Sequence, residues 1–265
     1  MIQEPLKKLR IEPGVMAQYY LIAKENEIFL NDYLHCPITI RFTGNIFCVV
    51  CGRKTSKVFG QGYCFPCFKY SPENSPCIIY PELCRGHLGE GRDPNWELEN
   101  HVKPHIVYLA WSSDWKVGVT RETQIPTRWL DQGATLAIPI ARTPNRYLAG
   151  LIEVSLKRFL PDKTDWRKMI LNTLKPSNPI QIEQIKYWLS DDLKSYLLFE
   201  ENVLYEFKYP FHVQFSKLIS VNLQKTPSIE GKLIGMKGQY LIFSDGRTLN
   251  IRNHTGYEVS IKLTR

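Results

Sequence analysis

The feature that most constrains the fold of this chain is a pair of closely spaced cysteine doublets in its first third. Cys48 and Cys51 form one C-x-x-C pair, Cys64 and Cys67 form the second, and twelve residues separate the pairs. Two such turns can bring four thiolates tetrahedrally around one zinc ion, and Gly52 allows the tight backbone that the first turn needs. Because four thiolates leave no position for water, the spacing predicts a structural zinc and not a catalytic one.

Disulfide bonds are the alternative use of these cysteines. The chain has 7 Cys, an odd number, and its first residues lack the apolar core of a secretory signal. Both observations argue against disulfides. Cys36 lies in an apolar-rich stretch and is predicted to be a core thiol.

A second group of metal-ligand residue types follows the doublets. It comprises Cys77, Cys84 and His87, with His101 or His105 as a fourth member. The spacing of six between Cys77 and Cys84 is not diagnostic of a metal site. Buried free thiols beside a surface histidine are the default interpretation, and a second metal site is the alternative.

Composition places the chain among ordinary globular proteins. Of the 265 residues 43% are hydrophobic and 23% are charged, which excludes a disordered chain, a collagen-like repeat and a coiled coil as global descriptions. The longest apolar runs, such as residues 106–111, are too short to span a bilayer. Together with the polar start of the chain, these features predict a cytoplasmic protein with no membrane contact.

The charge balance is basic. The chain has 34 Lys and Arg against 26 Asp and Glu, a net charge of +8. Residues 106–175 hold eleven bases and six acids, and so carry +5 of that total. A solvated basic face and a surface for a phosphate backbone both account for this stretch, and the second is favoured where a site lies in the same stretch.

Turn signals and hydrophobic periodicity predict an α+β protein with β-rich ends. We expect the two ends to pair in one small barrel or sheet, with the middle of the chain inserted between them. The predicted segments are a β-rich part at 1–45, a zinc-binding region at 46–104, a mixed domain at 105–175, a helical connector at 176–202 and a β-rich part at 203–265.

The mixed domain has a β-β-α-β-α order. Strands are predicted at 105–111, 115–120 and 136–142, and Pro126 suits the first turn of a short helix that ends at Gly133. Asn145 is a suitable N-cap for a second helix, predicted to reach residue 160. Two further helices are predicted at 165–174 and from 179 to about 199.

This order of elements, with the residues that it carries, resembles the GIY-YIG endonuclease superfamily. Ile106-Val107-Tyr108 falls on the first motif and Lys116-Val117-Gly118 on the second, where lysine replaces the tyrosine. Arg128 matches the arginine of the first helix, and Glu153 matches the metal-binding glutamate. The resemblance covers residues 105–160.

The resemblance implies a metal-dependent hydrolysis of phosphodiester bonds. Glu153 would bind a catalytic Mg²⁺ or Mn²⁺ ion, which polarises the phosphate and favours the leaving alkoxide. Tyr108, or a water that it orients, would be the general base. Lys116 and Arg121 would supply nearby positive charge, and Arg128 would stabilise charge on the phosphoryl oxygens. Lysine in place of the second tyrosine leaves activity an open question.

The whole chain also resembles an uncharacterised bacterial family, a domain of unknown function. The likeness lies in the segments 81–84, 107–110, 116–121, 128–134 and 238–243. It implies no established activity.

Three functions are therefore considered for this chain. The first is a metal-dependent nuclease that cuts DNA or RNA. The second is a zinc-stabilised nucleic-acid-binding module without turnover, in which exposed aromatic residues stack on bases. The third is a protein-interaction scaffold that docks through its zinc region. The candidates for stacking are Trp111, Trp115, Trp129 and Tyr147.

Overall fold

The computed structural model describes residues 2–22, 27–160, 163–171, 182–198, 203–211, 215 and 217–265. Their contacts define two compact units. Unit 1 comprises residues 1–69 together with 208–265, and unit 2 comprises residues 70–207. The mixture of several sheets with short helices confirms the α+β class.

The first part of unit 1 is made of strands. It contains β1 (Ile2–Pro5), β2 (Arg10–Glu12), β3 (Gln18–Ile22), β4 (Glu27–Phe29), β5 (Pro37–Phe47) and β6 (Lys54–Thr55), followed by helix α1 (Phe65–Tyr70). Strands β2, β3 and β4 form a small antiparallel sheet. Strands β3 and β4 pair antiparallel, and residues 23–26 between them lie outside the described part of the chain. A single-turn 3-10 helix, Leu30–Tyr33, leads to β5.

Unit 2 begins with a series of short turns, three of which start at a proline. Four short 3-10 helices, Pro72–Asn74, Pro76–Ile78, Pro81–Leu83 and Gly86–Leu88, precede helix α2 (Pro94–His101). Proline has no backbone N–H and a fixed φ, so it suits the first position of such turns. The side chain of Asp93 caps α2 by accepting a hydrogen bond from the Trp96 backbone N–H.

The predicted β-β-α-β-α order of unit 2 is confirmed. The elements are β7 (His105–Trp111), β8 (Trp115–Arg121), α3 (Thr127–Asp131), β9 (Leu136–Thr143) and α4 (Arg146–Leu156), with a 3-10 turn at Glu122–Gln124. Asn145 caps α4 as expected, since its side chain accepts from the Leu148 backbone N–H. Helix α4 ends at Leu156, one turn short of the predicted end.

The rest of unit 2 is made of short elements. They are α5 (Trp166–Leu171), a 3-10 turn (Ile182–Gln184), α6 (Ile185–Trp188), α7 (Asp191–Lys194) and β10 (Tyr205–Glu206). The two long helices predicted after residue 164 are thus shorter where they are described, and residues 172–181 lie outside the described part. The sheet of unit 2 has the order β10-β9-β7-β8.

The last part of the chain returns to unit 1. It contains β11 (Ile219–Val221), β12 (Ser228–Lys237), β13 (Tyr240–Phe243), β14 (Arg247–Asn250), a 3-10 turn (Arg252–His254) and β15 (Tyr257–Leu263). The main sheet has the order β1-β15-β5-β12-β13-β14-β11, and β6 pairs with β5. Strands from both ends therefore share one sheet, as expected. A turn at residues 244–247 joins β13 to β14, with Gly246 at a φ of +82°.

Two faces of the unit 2 sheet pack against different residues. On one face Val107 and Leu109 of β7 pack with α4, through Ala149, Ile152 and Leu156. On the opposite face Tyr108 and its neighbours Ile106 and Ala110 pack with Trp129 of α3. Side chains alternate along a strand, so consecutive residues of β7 supply the two separate cores.

Candidate metal centres

The four cysteines of the two doublets lie together in unit 1. One sulfur from each of Cys48, Cys51, Cys64 and Cys67 lies within 4.8 Å of the others. The sulfurs of Cys51 and Cys64 are 3.7 Å apart, close to the separation of about 3.8 Å that tetrahedral zinc with bonds of about 2.3 Å requires. This cluster is able to hold a metal ion and is compatible with zinc, as the spacing predicts.

The end of the long central strand β5 positions the first doublet. Cys48 directly follows β5, and its backbone N–H donates to the Arg53 carbonyl across the turn. Gly52 has a φ of +68°, a left-handed conformation that glycine adopts without strain. The backbone N–H of Cys64 donates to the Cys48 sulfur at 3.3 Å and joins the second doublet to the first.

The sulfurs of this cluster differ in acidity. Burial acts to raise the pKa of Cys48, but hydrogen bonds from the backbone N–H groups of Cys51, Cys64 and Val50 lower it to about 6. Burial and the neighbouring thiols raise the pKa of Cys67 to about 12. One thiolate therefore forms readily, and a further negative charge beside it is unfavourable without a cation.

A surface of aromatic, aliphatic and basic side chains surrounds the four cysteines. Phe65 is 57% exposed, and it packs edge-on against Phe59 with 5.3 Å between ring centroids. Phe68 also packs on the Phe59 ring, and the ammonium of Lys57 lies 5.2 Å from the centroid of that Phe59 ring. We call this the knuckle surface, and its exposed members are Val49, Val50, Arg53, Lys54, Lys57, Phe65 and Phe68.

In unit 2 the structure gathers a second set of ligand atoms. Cys77 and Cys84 lie together with Glu97 and His101, and one ligand atom of each lies within 4.8 Å of the others. The hydrogen bond from Cys77 lowers the pKa of Cys84 to about 4, and His101 and the Gly86 backbone act in the same direction.

His87, proposed from the sequence as the third member of this set, lies elsewhere. Its exposed ring stacks on Tyr147, with 4.6 Å between centroids. Glu97 was not among the ligands predicted from the sequence, although the sequence does indicate that it shares a helix face with His101. Asp93-Pro94 is typical of a helix start, and on the helix that follows Glu97 and His101 are four residues apart and so share one face.

The structure also describes His105, which the sequence offered as a possible fourth ligand, and Cys36. His105 is fully buried at the start of β7, and its Nδ1 lies 2.7 Å from the Lys103 carbonyl. Burial lowers its pKa to about 3. Cys36, predicted to be a core thiol, is only half-buried because it follows the 3-10 turn that leads into β5.

Tyr108 lies in the interior of unit 2. Its ring is 1% exposed and packs edge-on against Trp129. Its hydroxyl accepts a hydrogen bond of 2.8 Å from the Gln132 amide. The hydroxyl also lies over Gly118 of β8, the residue that pairs with it across the strands. This explains the glycine of the second motif by packing.

Lys116 lies on β8, and Arg128 lies on α3, the helix that packs on the same face of the sheet as Tyr108. Lys116 pairs with Ala110 across the strands, so its side chain projects from the same face as that of Tyr108. It is buried, and its ammonium donates to the Thr164 hydroxyl at 2.7 Å. Arg128 is half-buried on α3, and Arg121 donates to the side chain of Asn100.

Glu153 lies on α4, which covers the opposite face of that sheet. Its carboxylate is buried and lies 3.2 Å from the ammonium of Lys157, one turn along the helix. Burial raises its pKa, while Lys157 and Arg146 act to lower it. The structure therefore brings Tyr108 and Lys116 to one face and places Glu153 behind the sheet, so the four residues do not converge on one cleft.

The tryptophans named as stacking candidates are mostly interior. Trp115 and Trp129 are 7% and 0% exposed. Trp111 and Tyr147 are half-buried, and Tyr147 is covered by His87. Sequence alone could not place them, because tryptophan and tyrosine serve both as core residues and as contact residues.

Basic charge is concentrated in the unit that holds the four-cysteine cluster. Unit 1 contains 18 Lys and Arg against 8 Asp and Glu, a net +10, whereas unit 2 contains 16 against 18, a net −2. Residues 33–69 contain five bases and no acid. Residues 106–175 carry +5 when counted along the sequence, but they belong to a unit whose other segments are acidic. The net charge of that unit is therefore slightly negative.

Every helix in the described part of the chain is too short or too polar to cross a membrane. No curated protein and no solved structure matches the chain. A family model described as protein of unknown function, DUF2797, matches residues 36–259. The match includes all seven cysteines, both metal-ligand clusters, the sheet of unit 2 and most strands of the main sheet of unit 1. The chain therefore belongs to the DUF2797 family.

Proposed function

We propose that this protein binds single-stranded nucleic acid through the knuckle surface, which a structural zinc ion in the four-cysteine cluster holds in shape. The observation that carries the proposal is the exposure of Phe65 and Phe68 beside Arg53, Lys54 and Lys57, in a stretch without any acidic residue. Aromatic rings stack on unpaired bases, and lysine and arginine contact the phosphates between them.

Zinc is the metal that fits four thiolates in this arrangement. Its role is to fix the loop, because side chains inside the 48–67 segment are mostly exposed or half-buried and supply little core. A divalent ion with four thiolates carries a charge of −2. The five bases of residues 33–69 exceed this charge, so the segment remains positive when the metal is bound.

A single strand fits the knuckle surface better than a duplex does. Base pairing hides the faces of the bases, whereas an unpaired strand offers them to Phe65 and Phe68. The surface bears Val49 and Val50 at the tip of the first doublet, which offer apolar contact to a base or sugar. The preference between DNA and RNA depends on contacts to the 2′-hydroxyl.

The competing prediction is hydrolysis of phosphodiester bonds by Tyr108, Lys116, Arg128 and Glu153 with Mg²⁺ or Mn²⁺. The arrangement of unit 2 disfavours it, because Tyr108 is buried and Glu153 lies behind the sheet. Cleavage of labelled DNA or RNA that requires Mg²⁺ or Mn²⁺ and disappears in Glu153→Ala would establish hydrolysis. It would also refute a purely binding role.

The proposal is tested by binding of fluorescent single-stranded and duplex oligonucleotides to the whole chain over a series of salt concentrations. Replacing Arg53, Lys54 and Lys57 by Gln should lower affinity and flatten the salt dependence by about two units of slope, since each single-strand phosphate contact contributes about 0.7. Phe65→Ala with Phe68→Ala should lower affinity at all salt concentrations, because stacking is not screened.

A matched control removes three exposed bases from unit 2, namely Arg158, Lys163 and Lys168. This variant loses the same charge and should bind like the parent protein. Loss of binding in the control with retention in the Arg53, Lys54 and Lys57 variant would refute the knuckle surface and favour the basic stretch of residues 106–175. Absence of any salt-dependent binding would refute nucleic-acid recognition and favour a protein-docking role.

A further inference from the structure

The interior of residues 71–104 is unusual in its chemistry. Every residue of this segment is described, and the aliphatic and aromatic side chains within it are exposed or half-buried. Its buried residues are Ser71, Ser75, Cys77, Pro81, Cys84, Gly86, Glu97 and His101. A segment with this interior gains little from the hydrophobic effect, so another interaction must hold it together.

The buried carboxylate is the clearest sign of what that interaction is. Glu97 is 2% exposed, and its side-chain contacts include the ring of His101 and the hydroxyl of Ser75. Two thiols, Cys77 and Cys84, lie within ligand distance of the same point. A carboxyl group and two thiols, all able to carry negative charge, thus share one buried spot with an imidazole, and a cation bound by the four would balance that charge.

We propose that Cys77, Cys84, Glu97 and His101 bind a second divalent metal ion of the zinc type. Two sulfurs, one imidazole nitrogen and one carboxylate oxygen match the ligands and the tetrahedral number that zinc prefers. The sulfurs exclude Mg²⁺ and Ca²⁺, which require oxygen ligands. All four ligands are buried, so the ion has a structural role and no access for a substrate.

The backbone presents the four ligands from two directions. Cys77 lies in one 3-10 turn and Cys84 directly follows the next, so the two turns supply the sulfurs. Glu97 and His101 come from one face of α2, one helical turn apart. Gly86 packs against this face of the helix, since a Cβ there would lie 3.4 Å from the Cβ atoms of both Glu97 and His101.

Arg146 of α4 supports the site from outside the ligand set. Its guanidinium is buried and donates to the carbonyls of Cys77 at 2.8 Å and Ile78 at 2.9 Å. Two thiolates and one carboxylate with a divalent ion leave a charge of −1, which the arginine balances. Such groups fix the orientation of metal ligands and tune metal affinity. The ion would thus hold the turns of residues 72–88 to α2 and, through Arg146, to α4.

Metal content of the whole purified chain tests this proposal, and it does so independently of nucleic-acid binding. Plasma mass spectrometry should find two zinc ions per chain, and one in Cys84→Ser. Cys51→Ser should also retain one, at the second site, and Cys36→Ser should retain both as the matched control. Cobalt substitution of Cys51→Ser should give the absorption of a tetrahedral ion with two thiolate ligands.

Glu97→Gln guards against the failure of a cysteine variant to fold. It keeps the size of the side chain and should lose zinc to a chelator at least tenfold faster than the parent, as loss of a negative ligand requires. One zinc ion per chain in fully reduced parent protein, lost in Cys51→Ser and kept in Cys84→Ser, would overturn the proposal. So would two ions that neither Cys84→Ser nor Glu97→Gln affects, or a disulfide between Cys77 and Cys84 detected by mass in the native chain.

Discussion

The hydroxyl of Tyr108 lies against the backbone of Gly118 on the neighbouring strand, so closely that a Cβ at residue 118 would lie 2.7 Å from the oxygen. The two residues pair across β7 and β8. The aromatic ring therefore occupies the space that a side chain on β8 would fill. The tyrosine and the glycine that fall on the two predicted motifs are thus packed against each other in this fold.

Gly118→Ala should consequently destabilise unit 2 by about 1–3 kcal/mol, the usual cost of overpacking a rigid interior. Urea unfolding of the two proteins measures the difference. The cost should shrink when Tyr108 is also replaced by Leu, because the smaller side chain leaves room for the new methyl group. Equal costs in both backgrounds would contradict the proposed contact.

The two metal-ligand clusters should protect different parts of the chain from proteolysis. Cys51→Ser should expose residues 48–67 to cleavage and leave residues 71–104 resistant, since each segment depends on its own ligands. Cys84→Ser should give the reverse pattern. Mapping of early cleavage sites by mass spectrometry checks both. Simultaneous loss of both segments in either variant would contradict this separation.

Lys237 provides a prediction for alkaline pH. It is 2% exposed at the end of β12, and burial lowers its pKa to about 8 from an ordinary value of 10.5. The unfolded chain therefore binds more protons between pH 8 and 10.5, and the contribution of this lysine to stability improves as the pH rises through that window. Below pH 8 its unfavourable contribution reaches at most about 3 kcal/mol.

Lys237→Met should accordingly be more stable than the parent at pH 7, and the difference should diminish towards pH 10.5. Lys232, exposed on the same strand, is the control because Lys232→Met should show little change at either pH. Thermal unfolding of the three proteins at both pH values measures the effect. A gain in stability that does not depend on pH would show that charge burial at Lys237 is not its cause.

Glu153 provides a prediction for acid pH. Burial raises its pKa, so the folded protein holds the proton more tightly than the unfolded chain does. The contribution of Glu153 to stability is therefore best at low pH and declines as the pH rises from the ordinary pKa to the raised one. Glu153→Gln should be at least as stable as the parent at pH 7 and should lose that advantage near pH 4. Glu99→Gln, on an exposed site, is the control.

The sequence predicts what depends on neighbouring residues along the chain. The spacing of Cys48 and Cys51 within one turn, the cap at Asn145 and the β-β-α-β-α order of unit 2 are features of neighbouring residues, and the structure has them. The position of Glu153 relative to Tyr108, in contrast, does not follow from neighbouring residues in the sequence. It depends on which face of the sheet α4 covers, and that is decided by packing between distant segments.

The cluster of Cys77, Cys84, Glu97 and His101 is a second case in which contacts between distant segments could not be predicted from the sequence. His87 is close to Cys84 in the sequence, but a left-handed glycine at residue 89 ends its turn and the ring stacks on Tyr147. Glu97 is thirteen positions beyond Cys84 and reaches the thiols because α2 folds back over the turns. Sequence separation alone selects the wrong residue in such a case.

The pairing of β1 with β15, in which Ile2 lies opposite Ile261, has a consequence for biosynthesis. A chain emerging from the ribosome completes residues 70–207, with all the strands of their sheet, well before β15 exists. Unit 2 can therefore fold first, because the partners of β1 and β5 in the main sheet, β12 and β15, are synthesised later. During that interval β5, paired only with β6, leads directly into the four-cysteine cluster, whose ligands are already complete, so metal binding can precede closure of the sheet.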